Sequence, residues 1–341
     1  MRVQRVPAAV LLGTGSCVPP RRVTNQEPAE RLGRSPEWIF QRSGIRARHI
    51  VESGTASGDL AVAAGREALD RSGVGEVAAI VVATTSPDRP CPGTAPSVAS
   101  RLGMVGVTAL DVQAVCAGFL YGLGVAQGLI AAGTAESVLV IGADTLSLNV
   151  APDDPTSMLF GDGAGAVVLR SGHGEEPGAL GPCVLGSDGG GRDLITVRGG
   201  GSEERSGVGG ASVDRYLRLE GREVFRRAVQ HMTSASRAAL DAARWTPQDV
   251  DRIVAHQANA RILAVLAERL GVTADRALSN IEQVGNTSAA SIPILLDQAA
   301  RAGDLKPGHR VLLTAFGGGL TWGATTLIWP HPVRPHQLSP E

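Results

Sequence analysis

The sequence predicts a layered α/β fold built from two copies of one structural plan. Runs of apolar, strand-like residues alternate with helical patterns along the chain. Glycine is abundant and aromatics are scarce, with 44 glycines against 3% aromatic residues in 341. That balance suits tight turns and thin central helices packed backbone to backbone. The order of elements in the first half then returns in the second.

In the first half, AAIVVATTS (78–86), SVLVIGAD (137–144) and GAGAVVLR (163–170) read as strands. Their apolar residues are continuous rather than alternating, which predicts a sheet covered on both faces. The segments Asp59 to Arg71 and Thr94 to Leu102 read as helices. In the second half DRIVAHQAN (251–259) matches the first strand, HRVLLTAFGGG (309–319) the second and GATTLIW (323–329) the third. The stretch 280–303 occupies the place of 111–133, each a strand-like stub, a turn and a helix of small residues. By this matching, Cys116 corresponds to the turn Gly285-Asn286-Thr287. The halves are expected at 1–172 and 173–341, divided in the aperiodic stretch from Ser171 to Pro182. Gly186 to Gly210, glycine-rich and charged, reads as a surface loop.

Composition narrows the function. A net charge of −1 gives no footprint for nucleic acid. No apolar run has membrane-spanning length and the N-terminus lacks a signal-peptide pattern, so the expectation is a soluble cytoplasmic protein. Cys17, Cys91, Cys116 and Cys183 are far apart without a CxxC pair, which argues against a zinc ribbon or a disulfide framework.

Cys116 lies in DVQAVCAGFLYGLG, between a strand end and a helix that carries no charge before Glu136. An inert core cysteine is the commoner meaning of such a residue. A first-turn position, however, offers unpaired N–H groups and the helix dipole, which favour a thiolate and predict a lowered pKa. His256 follows a strand end in IVAHQANARI, and Asn286 sits in VGNTSAAS. Each alone reads as structural, a satisfied histidine and a turn residue. Together, at corresponding or adjacent points of two repeated units, they suggest thiolate chemistry on an acyl group, with a neutral donor for a developing oxyanion. The glycines of AFGGGLTWG lack the lysine of a phosphate-binding loop, and FGDGAG lacks the spacing of a dinucleotide fingerprint.

Five segments in order resemble the β-ketoacyl-ACP synthase III family of the thiolase fold: GTGSCVPP, EWIFQRSGIRARHI, DVQAVCAGFLYGL with FGDGAGAVVL, VAHQANARI with GNTSAAS, and AFGGGLTWG. The resemblance implies a thiolase-like five-layer αβαβα duplication and a homodimer. It makes Cys116 similar to the family's acyl-carrying nucleophile, and His256 and Asn286 similar to the pair that completes its triad. Gly318 resembles the residue whose N–H joins that of Cys116 as an oxyanion hole, and Phe316 the ring beside the thiol. Trp38 and Arg42 match residues that clasp the adenine and phosphates of CoA, while Gly221, Asn259 and Arg261 fall on the pantetheine tunnel. The implied chemistry is acylation of Cys116 by acyl-CoA or acyl-ACP, then decarboxylative condensation with malonyl-ACP. No metal or redox cofactor is implied.

The match departs in three places. Cys91 stands where the family often has a phenylalanine reaching the partner's acyl pocket, so a bulkier acyl group is expected to fit. The loop from Asn149 to Ser157 lacks an arginine for CoA phosphates and offers Asp153 and Asp154. On the carrier-docking face, Glu268 and Arg269 replace adjacent lysines, leaving Arg226, Arg227 and Arg269 as the docking cations. These departures keep open a rival activity, transfer of the acyl group to a hydroxyl, amine or other carrier without decarboxylation. A non-enzymatic binding protein comes third.

Overall fold

A computed structural model describes residues 6–208 and 214–331. Residues 1–5 of the first expected half, residues 332–341 of the second, and part of the stretch from Gly186 to Gly210 lie outside the described residues. Two sheets form the frame. The first runs, in spatial order, Ala8–Cys17, Gly163–Gly172, Ser137–Asp144, Ala79–Ala83 and Thr108–Val112. The second runs Val184–Ser187, Thr321–Ile328, Arg310–Gly317 and Arg252–Ala255 in the corresponding order. Directions match as well: Ala79–Ala83 lies parallel to Ser137–Asp144, and Arg252–Ala255 lies parallel to Arg310–Gly317. The fifth strand of the second sheet is reduced to a single parallel bridge, Ile253 to Ala277.

Three hydrophobic clusters make the layers. Between the sheets, the helices Gly118–Ala131 and Ser291–Ala302 pack on Val81, Val140 and Val167 of one sheet and Leu313, Ala315 and Leu327 of the other. Outside the first sheet, Ile80, Val82, Leu139 and Ile141 meet the helices Ser57–Ser72 and Thr94–Arg101. Outside the second, Ile253, Leu312 and Ala324 meet Gly221–Ala243 and Ala260–Leu270. Alternate residues of one strand thus enter different cores, which is why these strands are apolar throughout. The result is the five-layer αβαβα arrangement.

Two expectations are corrected. The stretch after Gly186 is not only surface loop. It carries the end of the strand Val184–Ser187, a 3-10 turn Gly189–Leu194 and a short strand Ile195–Thr196, and Ile195 is half-buried against the second core. The repeat also has a different register. The 3-10 turn Val115–Ala117 precedes one central helix and Ser288–Ala290 the other. Each opens on a non-glycine residue with positive φ, 47° at Val115 and 50° at Ser288. Cys116 therefore corresponds to Ala289, three residues beyond Asn286.

Among the described residues, no helix is long and apolar enough to cross a membrane. No cluster of three His, Cys, Asp or Glu side chains there could hold a metal.

Candidate active site

The 3-10 turn Val115–Ala117 presents Cys116 at the entry of the central helix Gly118–Ala131. His256 follows the strand Arg252–Ala255, anchored by its N–H to Thr314 O at 2.8 Å. Asn286 is tied into the first half by a short bridge. Its N–H donates to Leu159 O at 2.9 Å, and its own carbonyl accepts from Gly161 N–H at 3.0 Å. The three side chains line one cavity of about 50 Å³ whose other walls include Thr85, Phe160, Ile195, Met232 and Phe316. Residues from both halves of the duplication meet there.

Each polar group is oriented by a neighbour. Ser291 Oγ lies 2.7 Å from His256 Nδ1 and already accepts from Gln257 N–H at 3.4 Å. Ser291 and His256 share one hydrogen bond, whose direction follows the ring tautomer. Burial pushes His256 down to about 3, so the ring is neutral. Asn286 Oδ1 accepts from Ser288 N–H at 2.9 Å, which turns its NH₂ end away from that bond. A neutral imidazole and a neutral amide thus line the same cavity as the sulfur.

Cys116 does not have the lowered pKa expected of a helix start. Burial pushes the thiol up to about 12, against which the bond from Ser288 acts downward. The residue is 8% exposed, and desolvation of a thiolate outweighs the dipole of one helix end. Burial also raises Cys17 and takes Cys183 to about 11.

Two glycines near the sulfur are closely packed. The position a Cβ would take on Gly317 lies 2.7 Å from Cys116 N, so only glycine fits there. The position a Cβ would take on Gly318 lies 3.0 Å from Ile195 O. Gly317 ends the strand Arg310–Gly317 as Asp144 ends Ser137–Asp144. In the first half the Asp144 carboxylate accepts from Ala289 N–H at 3.1 Å. At the equivalent point Gly317 presents no carboxylate to Cys116 N–H, which suits that N–H to an acyl oxygen. Phe316 is buried in the cavity wall and pairs across the hairpin with Trp322.

Residues expected to hold CoA gather at the helix Pro36–Ser43. Trp38 is half-buried, with the Arg42 guanidinium 4.8 Å and the Arg34 guanidinium 5.3 Å from its ring centre. Arg34 was not signalled by the sequence. Asn259 caps the helix Ala260–Leu270 by accepting from Arg261 N–H at 2.9 Å and donates to Arg42 O at 3.0 Å. Arg261 donates to Gln41 O at 2.9 Å. Gly221 is exposed at the start of Gly221–Ala243, the helix whose Val224, Ala228 and Met232 line the cavity. In the loop lacking an arginine, Asp154 pairs with Arg218 at 2.6 Å, so a cation reaches that loop from elsewhere in the chain.

The remaining expected site residues lie on the surface. Cys91 is exposed and lies outside the cavity walls of its own chain. Arg226 and Arg227 share Glu223, at 2.5 and 2.9 Å, and Arg227 also faces Asp188 at 3.6 Å. Arg226 and Arg269 line a groove of about 550 Å³ with Arg237 between the two outer helices.

Residues 110–189 match the family model described as 3-oxoacyl-[acyl-carrier-protein (ACP)] synthase III, and 240–329 match its C-terminal counterpart. Beta-ketoacyl-[acyl-carrier-protein] synthase III 3 of Streptomyces coelicolor is 56% identical over 328 residues, covering 95% of this chain and 98% of that protein. The chain belongs to the β-ketoacyl-ACP synthase III family. The crystal structure of 3-oxoacyl-(acyl carrier protein) synthase III from Pseudomonas aeruginosa PAO1 is similar with a TM-score of 0.90 at 45% identity, covering 96% of this chain and all of that one. The priming β-ketosynthase of the R1128 polyketide biosynthetic pathway is similar with a TM-score of 0.90 at 36% identity, over 98% and 99% of the chains.

Proposed function

We propose that this synthase III family enzyme condenses acyl thioesters, with Cys116 carrying the acyl group. The observation that supports it is the meeting of Cys116, His256 and Asn286 in one cavity. The sulfur attacks the carbonyl of acyl-CoA or acyl-ACP and the carrier thiol leaves. Malonyl-ACP then enters and loses CO2. His256 Nε2–H and the Asn286 amide donate to the resulting enolate oxygen, and neutral donors suffice in a dry site. The carbanion attacks the acyl-cysteine, which releases a β-ketoacyl-ACP and the thiolate. The product primes fatty-acid or polyketide synthesis. Thioester exchange and decarboxylation balance without a metal or redox group, so none is assigned.

The finer assignments belong to the same reading. Trp38, Arg34, Arg42, Asn259 and Arg261 bind the nucleotide and pantetheine of CoA. Arg269 with Arg226 and Arg227 receives the acidic carrier protein. The working form is a homodimer, which gives Cys91 a place at the partner's acyl pocket, and sedimentation equilibrium checks it. A cytoplasmic location fits these substrates, and cell fractionation checks it.

Loading with acyl-CoA is expected to add the acyl mass to the peptide containing Cys116, and malonyl-ACP to release CO2 with a β-ketoacyl product. His256→Ala and Asn286→Ala should each slow the condensation step by about 10²–10³, the cost of one oxyanion donor, and acylation far less. Turnover with a hydroxyl or amine acceptor and silence on malonyl-ACP would instead establish acyl transfer without decarboxylation.

A further inference from the structure

A buried cation stands against the bridge that holds Asn286. Arg48, in the short strand Ala47–His49, is 2% exposed. Its guanidinium donates to Met158 O at 2.7 Å, to Asn25 Oδ1 at 2.8 Å and, more weakly, to Val23 O at 3.4 Å. All three acceptors are neutral. Among the described residues no carboxylate pairs with Arg48, and Glu27, the acid whose charge acts on it, is taken by Arg21 and Arg31. Its Nε is buried without a partner. Burial draws the group down to about 10, which leaves it charged at neutral pH. A cation buried without an anion is costly to keep. Packing alone would be served by a neutral side chain of the same size.

The shortest of these bonds bears on the backbone that brackets Asn286. Met158 ends the 3-10 turn Pro155–Met158. The next residue, Leu159, supplies the carbonyl that accepts from Asn286 N–H at 2.9 Å, and Gly161 donates its N–H to Asn286 O at 3.0 Å. Phe160, between them, bridges to Asn286 and walls the cavity. The stem of Arg48 packs on the same pieces of chain. The position a Cβ would take on Gly161 lies 3.2 Å from Arg48 Cβ, and that on Gly285 lies 3.0 Å from it. Gly285 precedes Asn286 at φ 72°, a conformation that glycine adopts without strain. Next in the strand, His49 O accepts from Asp162 N–H at 2.7 Å. Adjacent residues of one strand thus hold the segment 158–162 at both ends. A guanidinium suits the task, because its planar fork reaches oxygens of separate segments at once.

We propose that Arg48 is a positioning residue for Asn286, clamping the Met158 carbonyl and through it the bridge that sets the Asn286 amide in the cavity. The inference rests on Asn286 donating to the enolate oxygen. Arg48 itself is outside the cavity walls and meets neither the substrate nor the sulfur. Its effect passes through backbone. Asn286 is bonded to the bridge by its own N–H and C=O, and its Oδ1 is fixed by Ser288 N–H at 2.9 Å. A shift of the bridge therefore shifts the amide. A donor to a developing oxyanion acts only over a narrow range of distance, and a misplacement of about 1 Å costs about 10²-fold.

A double-mutant cycle separates positioning from general support of the fold. Arg48→Met keeps an unbranched apolar stem and removes the clamp. With enzyme already acylated at Cys116, release of CO2 from malonyl-ACP should fall about tenfold, less than the loss of about 10²–10³ expected without the donor itself. Acylation of Cys116 by acyl-CoA should keep its rate. In an Asn286→Ala background the same change should slow CO2 release no further, because no amide is left to position. Arg48→Lys, which keeps a buried cation but not the fork, should behave as Arg48→Met does, and it decides the matter if Arg48→Met does not fold. Equal slowing of acylation and decarboxylation, or losses that multiply in the double variant, overturns the proposal. Unchanged CO2 release in Asn286→Ala alone would defeat the enolate assignment itself, a separate failure.

Discussion

His256 is 2% exposed, with its ring engaged by Ser291, and its depressed pKa has a consequence for stability as well as catalysis. The folded form stays neutral down to about pH 3, whereas the unfolded chain takes up a proton near 6.5. The contribution of the neutral ring is therefore complete above pH 6.5 and is lost progressively as pH falls from 6.5 towards 3. Lowering the pH from 7 to 5 should cost the protein about 2 kcal/mol through this residue. His256→Gln, which keeps a neutral polar side chain, should lose that much less over the same interval. Urea unfolding at the two pH values measures the difference. Equal losses would mean that His256 gains its proton in the folded state. The opposite fate of Cys116 has the same origin, because desolvation favours the neutral form of both. The sequence could not disclose this. A helix-start cysteine looks activated until the depth of its burial is known.

The strands and helices were legible because each core imposes its pattern on them. The run SVLVIGAD is apolar throughout since Val140 enters the central core and Leu139 and Ile141 the outer one. The segment after Gly186 was misread because its structured pieces are too short to show a period, so nothing marked Ile195 as a cavity wall. Trp38 and Arg42 on the helix Pro36–Ser43 were legible as candidates to hold CoA, but the support of that helix was not. Asn259 holds its end through Arg42 O while capping a second helix. Asn259→Ala should therefore cost about 1 kcal/mol as a lost cap and also disturb donor binding. Trp38→Ala removes the ring that both Arg34 and Arg42 approach. Trp38→Ala should raise KM for acyl-CoA about fivefold, a loss of about 1 kcal/mol at an exposed cation–π site, and Asn259→Ala should raise it too, while a carrier-bound donor without the nucleotide is hardly affected. Equal losses with the two donors would remove this helix from the CoA site.

At the level of the whole molecule, the duplication was readable but its register was not. Aligning the halves by their reactive residues put Cys116 opposite the Asn286 turn. Backbone conformation puts it opposite Ala289, and positive φ on valine and serine has no sequence signature. The same duplication explains how the halves are locked together. Asp297, on the central helix of the second half, is 0% exposed. It accepts from Thr14 Oγ1 at 2.9 Å, Ser16 Oγ at 2.5 Å and Arg71 at 2.8 Å, all from the first half, and from Arg301 on its own helix. Glu67 adds a second carboxylate between Arg71 and Arg301. Truncating a buried member of such a network leaves its partners unsatisfied, at a cost of about 3–5 kcal/mol. The half-exposed arginines can turn to water, which puts Asp297→Ala at the lower end, about 3 kcal/mol. The variant should unfold at lower temperature while Cys116, remote from this end of the helix, still takes up an acyl group at the normal rate in the protein that remains folded. A melting temperature unchanged by Asp297→Ala would show that the apolar central core alone joins the halves.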